Sequence, residues 1–211
     1  MQLFLLLNLS LQFIMLKRGF DVASSLTGII LLFPFLLILW ICIRLESSGG
    51  GFYRQVRVGK NGIDFRLWKF RTMQTGADKK GLLTIGGRDS RVTRIGYYLR
   101  KYKLDELPQL INVLVGDMSI VGPRPEVRKY VELYSQDQRK VLSVKPGITD
   151  YASIEYSNEN ELLAKSENPE KTYIDEVLPA KLDLNQKYLI QQGFFTDLKI
   201  IFHTIGKIVS K

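Results

Sequence analysis

The stretch Lys103–Glu126, KLDELPQLINVLVGDMSIVGPRPE, carries two adjacent carboxylates, Asp105 and Glu106, just ahead of a proline-started helix. Proline is tolerated in the first helical turn, where its missing N–H costs nothing. The reading therefore places Asp105 near the N-cap, Pro108 in the first turn and the helix end at Gly116. Both carboxylates would then lie at the positive end of a helix dipole, which also favours phosphate. The plainer reading makes Asp105 an ordinary N-cap. Arg100, Lys101, Lys103 and Arg124 shift the balance toward a site holding a metal and phosphates. Arg124 stands between Pro123 and Pro125, so its backbone loses less entropy when the guanidinium grips a phosphate. The bland alternative there is a surface turn.

Upstream, Phe52–Val58 and Ile63–Phe70 read as two short strands around the turn Gly59-Lys60-Asn61-Gly62. Thr75–Arg91 is polar and glycine-rich and reads as a loop. Thr93–Leu104 reads as a helix with Ile95, Tyr98 and Leu99 inward. Downstream, Lys145-Pro146-Gly147-Ile148-Thr149 is a second rigid turn. Ser153–Leu178 is an acidic, helical excursion.

The net charge is +9 and the isoelectric point about 9.6, which favours anionic partners: nucleotides, phospholipid surfaces or nucleic acid. One cysteine, Cys42, gives neither a disulfide framework nor a zinc pattern, as suits a reducing, cytoplasm-facing catalytic part.

Val22–Ile43 contains no charged residue, and as a helix it would be roughly 33 Å long, about the hydrocarbon thickness of a bilayer. Pro34 lies near its middle, and Lys17, Arg18 and Arg44 flank both ends. Composition alone favours a spanning helix. Basic residues at both ends suit a helix that enters, bends at Pro34 and leaves on the same side, with arms of roughly 17 Å. Met1–Leu16 is apolar, too short to span and without a cleavage signal. In Gly193–Lys211, Phe194, Phe195, Leu198, Ile201, Phe202, Ile205 and Ile208 share one helical face, as in an interfacial or a core-packing helix. The single histidine, His203, reads as structural.

In order along the chain come Lys17-Arg18-x-Phe20-Asp21, Lys69-Phe70-Arg71-Thr72-Met73, LDELPQL at 104–110, GDMS at 116–119, GPRPE at 122–126 and KPGIT at 145–149. Together they resemble the monotopic phosphoglycosyl transferases of the bacterial sugar transferase family, in their minimal form, over roughly residues 16–150. The resemblance implies transfer of a phospho-sugar from a nucleotide diphosphate sugar, usually a UDP-sugar, to undecaprenyl phosphate with release of UMP, the first membrane step of surface glycan assembly. It implies Asp105 as nucleophile and Mg2+ ligand, and Glu106 as the group that positions or deprotonates the acceptor. It implies phosphate binding by Arg124 and Arg100, with Lys69 and Arg71 beside them. Lys17 and Arg18 would meet the lipid phosphate or headgroups. The membrane element would be a re-entrant helix kinked at Pro34.

After Thr149 the chain departs from the common pattern and reads Asp150-Tyr151-Ala152-Ser153-Ile154-Glu155, which puts sugar specificity in doubt. The competing readings are a non-catalytic, membrane-anchored basic adaptor, a tethered nucleic-acid binder and a hydrolase of the diphosphate link. No nucleic-acid motif accompanies the basic charge. The expected architecture is α/β, α+β-like. Residues 1–48 form the apolar segment and re-entrant helix; residues 49–211 form a small mixed catalytic domain with a short sheet, on the cytoplasmic face of the bacterial inner membrane. An apolar membrane-side surface could support a homodimer.

Overall fold

In the computed structural model, residues 2–77, 83 and 89–210 are described, with side chains from residue 12 onward. The Thr75–Arg91 loop and Met1–Leu16 therefore fall partly outside the described residues. The N-terminal helix α1, Gln2–Glu46, holds Pro34 inside a single helix. Its stretch Gln12–Glu46 contains an 18-residue window with a mean hydropathy of 2.8 and is long and apolar enough to cross a membrane. Ile30, Leu31, Phe33 and Ile38 stand exposed along it.

The globular part holds α1 at two places. Near residue 20, Arg18 donates to the carbonyls of Val113 (2.6 Å) and Leu114 (2.9 Å), and Asp21 accepts from Ser119 Oγ (3.1 Å) and Ile120 N (2.9 Å). Lys17 Nζ donates to Asp197, to the Val121 carbonyl (2.9 Å) and to Tyr188 Oη (3.3 Å). At the other end, Leu36, Leu39, Trp40 and Ile43 pack on Phe70 and Leu99. There the Arg71 guanidinium donates to the carbonyls of Ile43 (3.4 Å), Ser47 (2.9 Å), Ser48 (2.8 Å) and Gly50 (2.6 Å). A cation on the last carbonyls of a helix satisfies groups that have no partner within it and suits the dipole.

Two strands, β1 (Phe52–Val58) and β2 (Asp64–Phe70), form an antiparallel hairpin in the register Phe52↔Phe70 to Val58↔Asp64. Asn61 and Gly62 take positive φ in the turn, a conformation asparagine and glycine tolerate best. Next come α2 (Arg94–Lys101), capped by Thr93 Oγ1 on Gly96 N, and α3 (Gln109–Val115), ended by Gly116 at φ 102°. Leu99 is buried as expected, but Tyr98 is 60 % exposed; the inward position is Gly96, pressed against the Thr72 backbone. Asn112, fully buried, ties α3 to the hairpin: its side chain accepts from Trp68 N and donates to the Arg66 carbonyl, both at 2.9 Å.

What reads in sequence as two separate rigid turns is one parallel pair, β3 (Ser119–Val121) beside β4 (Gly147–Thr149). The two backbones meet at Gly122 and Gly147. A Cβ on Gly147 would lie 2.1 Å from Gly122 N, so only glycine fits.

The acidic excursion is built into the core. Between α4 (Arg128–Val131) and α8 (Leu178–Ile190) the chain forms α5 (Tyr151–Glu155), α6 (Glu159–Ala164), α7 (Pro169–Thr172) and a π turn, Tyr173–Val177. Leu163, Tyr173 and Val177 pack with Tyr130, Val131 and Leu182 in the largest apolar cluster. The last helix, α9 (Phe194–Val209), buries Asp197 and Ile200 and leaves Phe195, Phe202, Ile205 and Val209 exposed. The buried stripe is thus a different face from the apolar one read in sequence, because Asp197 is drawn in by Lys17 and Tyr188 Oη (2.8 Å).

Candidate active site

Asp105 and Glu106 sit in a 3-10 turn, Leu104–Glu106, between α2 and α3. This corrects the N-cap placement: α3 begins four residues after Asp105, with Pro108 at its N-cap, and Asp105 caps nothing. With only seven residues, α3 contributes little dipole, and the positive charge of the site comes from side chains. The turn is entered through Lys103 at φ 57°, a left-handed conformation that costs a non-glycine residue roughly 1 kcal/mol. That sharp entry turns Asp105 inward.

The two carboxylates have opposite environments. Glu106 accepts two bonds from Arg124, one from Nη1 at 2.9 Å and a shorter one from Nη2, and a third from Lys69 Nζ at 3.3 Å. Burial pulls its pKa up, but Arg124 and Lys69 outweigh it and hold the carboxyl well below the usual glutamate range. Asp105 is only 7 % exposed, and its Oδ1 is buried without a hydrogen-bond partner. Burial, reinforced by the neighbouring Glu106 charge, pushes its pKa up. Burial likewise lowers Lys69 and Arg100, although the two carboxylates oppose that shift. Arg124 goes up, because Glu106 overcomes the cost of burial.

Arg124 is further fixed by its backbone N–H, which donates to Asp150 Oδ2 (3.1 Å), and by Nη1 to the Ile148 carbonyl (3.3 Å). Asp150, fully buried, also caps α5 through Ser153 N at 2.6 Å. Arg100 Nε donates to Thr72 Oγ1 at 2.8 Å. Thr72 belongs to the Lys69–Met73 motif and Asp150 directly follows Thr149, but neither reads in sequence as a site residue.

Of the expected site residues, Asp105, Glu106, Lys69, Arg100 and Arg124 line one cavity of about 990 Å³. Arg71 lines the same cavity, and its guanidinium donates to the carbonyl of Ile43 in α1 and to those of Ser47, Ser48 and Gly50 just beyond it. Lys17 and Arg18 hold α1 to α9 and α3 through Asp197 and the Val113 and Leu114 carbonyls. Pro34 lies inside α1, remote from the acid pair along the chain.

Among the described residues, no three His, Cys, Asp or Glu side chains cluster as metal ligands. With the Glu106 carboxylate taken by Arg124 and Lys69, the protein offers a cation the unpaired Oδ1 of Asp105. That donor set fits Mg2+, which commonly binds through one or two carboxylates and otherwise through substrate phosphates and water.

The family model described as bacterial sugar transferase matches residues 12–211. The chain is 35 % identical over 197 residues to the UDP-glucose:undecaprenyl-phosphate glucose-1-phosphate transferase of Escherichia coli, covering 92 % of this chain and 40 % of that protein. It is 38 % identical over 199 residues to the uncharacterized sugar transferase EpsL of Bacillus subtilis, covering 92 % and 87 %. It is 34 % identical over 198 residues to the UDP-N-acetylgalactosamine-undecaprenyl-phosphate N-acetylgalactosaminephosphotransferase of Aeromonas hydrophila, covering 92 % and 44 %. The chain thus spans less than half the length of two of these three relatives.

Proposed function

The chain belongs to the bacterial sugar transferase family, and on that premise we propose that it moves a phospho-sugar from a UDP-sugar to undecaprenyl phosphate and releases UMP. The observation that carries this reading is the unpaired, buried oxygen of Asp105 beside Lys69, Arg100 and Arg124. An unpaired buried carboxylate is costly. Its raised pKa also makes it a stronger nucleophile than a solvated aspartate.

In the first step, an Asp105 carboxylate oxygen bonds to the sugar-linked phosphorus. The bond from that phosphorus to the bridging oxygen breaks, and UMP leaves with the electron pair. Asp105 then carries the phospho-sugar as an acyl phosphate. In the second step, a phosphate oxygen of the lipid attacks the same phosphorus and the Asp105 carboxylate is released. Arg124, Lys69 and Arg100 hold the phosphate oxygens, where charge develops. Held well below the usual glutamate range, Glu106 is a weak base, so orienting Arg124 and Lys69 suits it better than proton abstraction. Bound through Asp105, Mg2+ would neutralise the diphosphate and the leaving UMP.

The apolar faces of α1 and α9 suit residence on a bilayer, which brings the lipid phosphate to the cavity. On this reading the domain works at the cytoplasmic face of the inner membrane, where the resemblance implies it acts. A non-catalytic adaptor would leave the desolvation of Asp105 without a use.

The test is to incubate the full chain in a membrane mimic with Mg2+ and a panel of UDP-sugars, without lipid, and weigh the intact protein. A mass increase equal to one phospho-sugar, abolished in Asp105→Asn, is expected. UMP should then be released continuously once undecaprenyl phosphate is added. Turnover that persists in Asp105→Asn sinks the covalent route.

A further inference from the structure

The cavity has two chemically unlike sets of lining residues. Near the acid pair, Lys69, Arg100, Lys103 and Arg124 outnumber Asp105 and Glu106, as an anionic diphosphate requires. The same cavity is also lined by Arg57, Glu126, Tyr173, Lys181 and Glu159, whose charges cancel in pairs. Arg57 Nη1 donates to Glu126 Oε1 at 2.8 Å, and Lys181 Nζ donates to Glu159 Oε2 at 2.8 Å. A neutral wall dense in donors and acceptors gives no advantage to phosphate and suits a neutral ligand rich in hydroxyls.

The groups on this wall are fixed in place. Glu126 also accepts from Tyr173 Oη at 2.5 Å and from Val127 N at 2.8 Å. Arg57 is braced by Gln55 Oε1, at 3.1 Å from Nε and 2.8 Å from Nη2. Lys181 lies over the Tyr173 ring at 5.3 Å from its centroid. Ser153 Oγ also lines the cavity, buried and without a hydrogen-bond partner. Fixed donors and acceptors discriminate strongly, because a hydroxyl in the wrong place leaves one of them buried and unpaired.

Chain geometry links the two sets. Arg124 and Glu126 are separated by Pro125 alone, so their Cα atoms lie no more than roughly 7 Å apart. That is comparable to the span from an anomeric phosphate to the far side of a pyranose ring. A phosphate held by Arg124 would therefore set the attached sugar against the Glu126 wall. Glu159 and Tyr173 come from the acidic excursion, where the sequence leaves the common pattern after Thr149.

We propose that the neutral wall of Arg57, Glu126, Tyr173, Lys181 and Glu159 is the subsite that reads the hydroxyls of the donor's sugar. The acidic excursion then sets sugar selectivity. This rests on the transferase reading, and the same wall facing the nucleoside instead is the outcome the test must separate.

The experiment measures equilibrium binding of UDP-glucose, UDP-galactose and their N-acetyl counterparts, and of UMP, to the full chain in nanodiscs. It uses the Asp105→Asn background, with and without Lys181→Met or Glu159→Gln. The same sugars are then run as substrates with Asp105 intact. The expected result is that each variant lowers the discrimination between the preferred sugar and its C4 epimer about tenfold while UMP affinity stays within about twofold. A uniform loss across all sugars, matched by UMP, overturns the proposal in favour of a nucleoside subsite. A lowered melting temperature with discrimination unchanged overturns it in favour of structural ion pairs. Selective binding without UMP release would sink the transfer reaction and leave the sugar subsite standing; failure of any UDP-sugar to bind sinks both.

Discussion

Glu106→Gln keeps the shape of its side chain and removes the charge that balances Arg124 and Lys69. Removing one partner of a buried ion pair costs about 3–5 kcal/mol, because the other charge is left desolvated. The Arg124 side chain keeps 27 % of its surface exposed, and Asp105 remains nearby as a second anion. Both features place the loss at the lower end, about 3 kcal/mol. For a domain of this size that lowers the melting temperature by about 6–12 °C. The loss should be partly recovered in Glu106→Gln/Arg124→Met, with a coupling of about 1–3 kcal/mol between the two positions. The pH dependence follows from the depressed Glu106 pKa: the stabilisation is complete above the unfolded value of 4.5 and is lost as pH falls through the lower folded value. Wild type and variant should therefore converge only in strong acid. Thermal melts of the detergent-solubilised full chain across pH measure all of this. A Glu106→Gln melting temperature within about 2 °C of wild type at neutral pH, or strict additivity in the double variant, would refute the ion pair as a source of stability.

Asp105 has the opposite sign. Its raised pKa means that the folded state is penalised as pH rises above the unfolded value of 3.8, so Asp105→Asn should melt at or above wild type at pH 7 while losing UMP release, the stability difference vanishing below pH 3.8. Arg71→Met should cost about 3 kcal/mol by stranding the carbonyls of Ile43 and of the segment just past α1, and should speed proteolysis at residues 47–51; Arg71→Lys should not restore it, since one ammonium cannot span four carbonyls. Gly147→Ala places a methyl group 2.1 Å from Gly122 N, so it should destabilise by about 3 kcal/mol in a thermal melt and also slow UMP release by shifting Arg124, which donates to the next residue of β4, Ile148.

The sequence by itself determined most of the local elements and marked the acid pair Asp105 and Glu106. The alternation in β1 and β2, the cap of α2 at Thr93 and the stop of α3 at Gly116 each depend on residues only a few positions apart, so each is legible in one dimension. The ordered motifs marked Asp105, Glu106, Lys69 and Arg124, the resemblance added Arg100, and the fold does bring these five to one cavity. Which cations face the cavity was decided only by the tertiary structure. Lys17, Arg18 and Arg71 carry the same charges as Lys69 and Arg124, but their donors turn to Asp197, to carbonyls of α3 and to carbonyls at and just beyond the end of α1, partners that lie far away in sequence. The pairing of β3 with β4 and the buried face of α9 were hidden for the same reason. Each depends on one long-range approach, Gly122 to Gly147 in the first case and Lys17 to Asp197 in the second. Residue type and spacing report what a side chain is able to do; the groups that fold against it decide which of those interactions it makes.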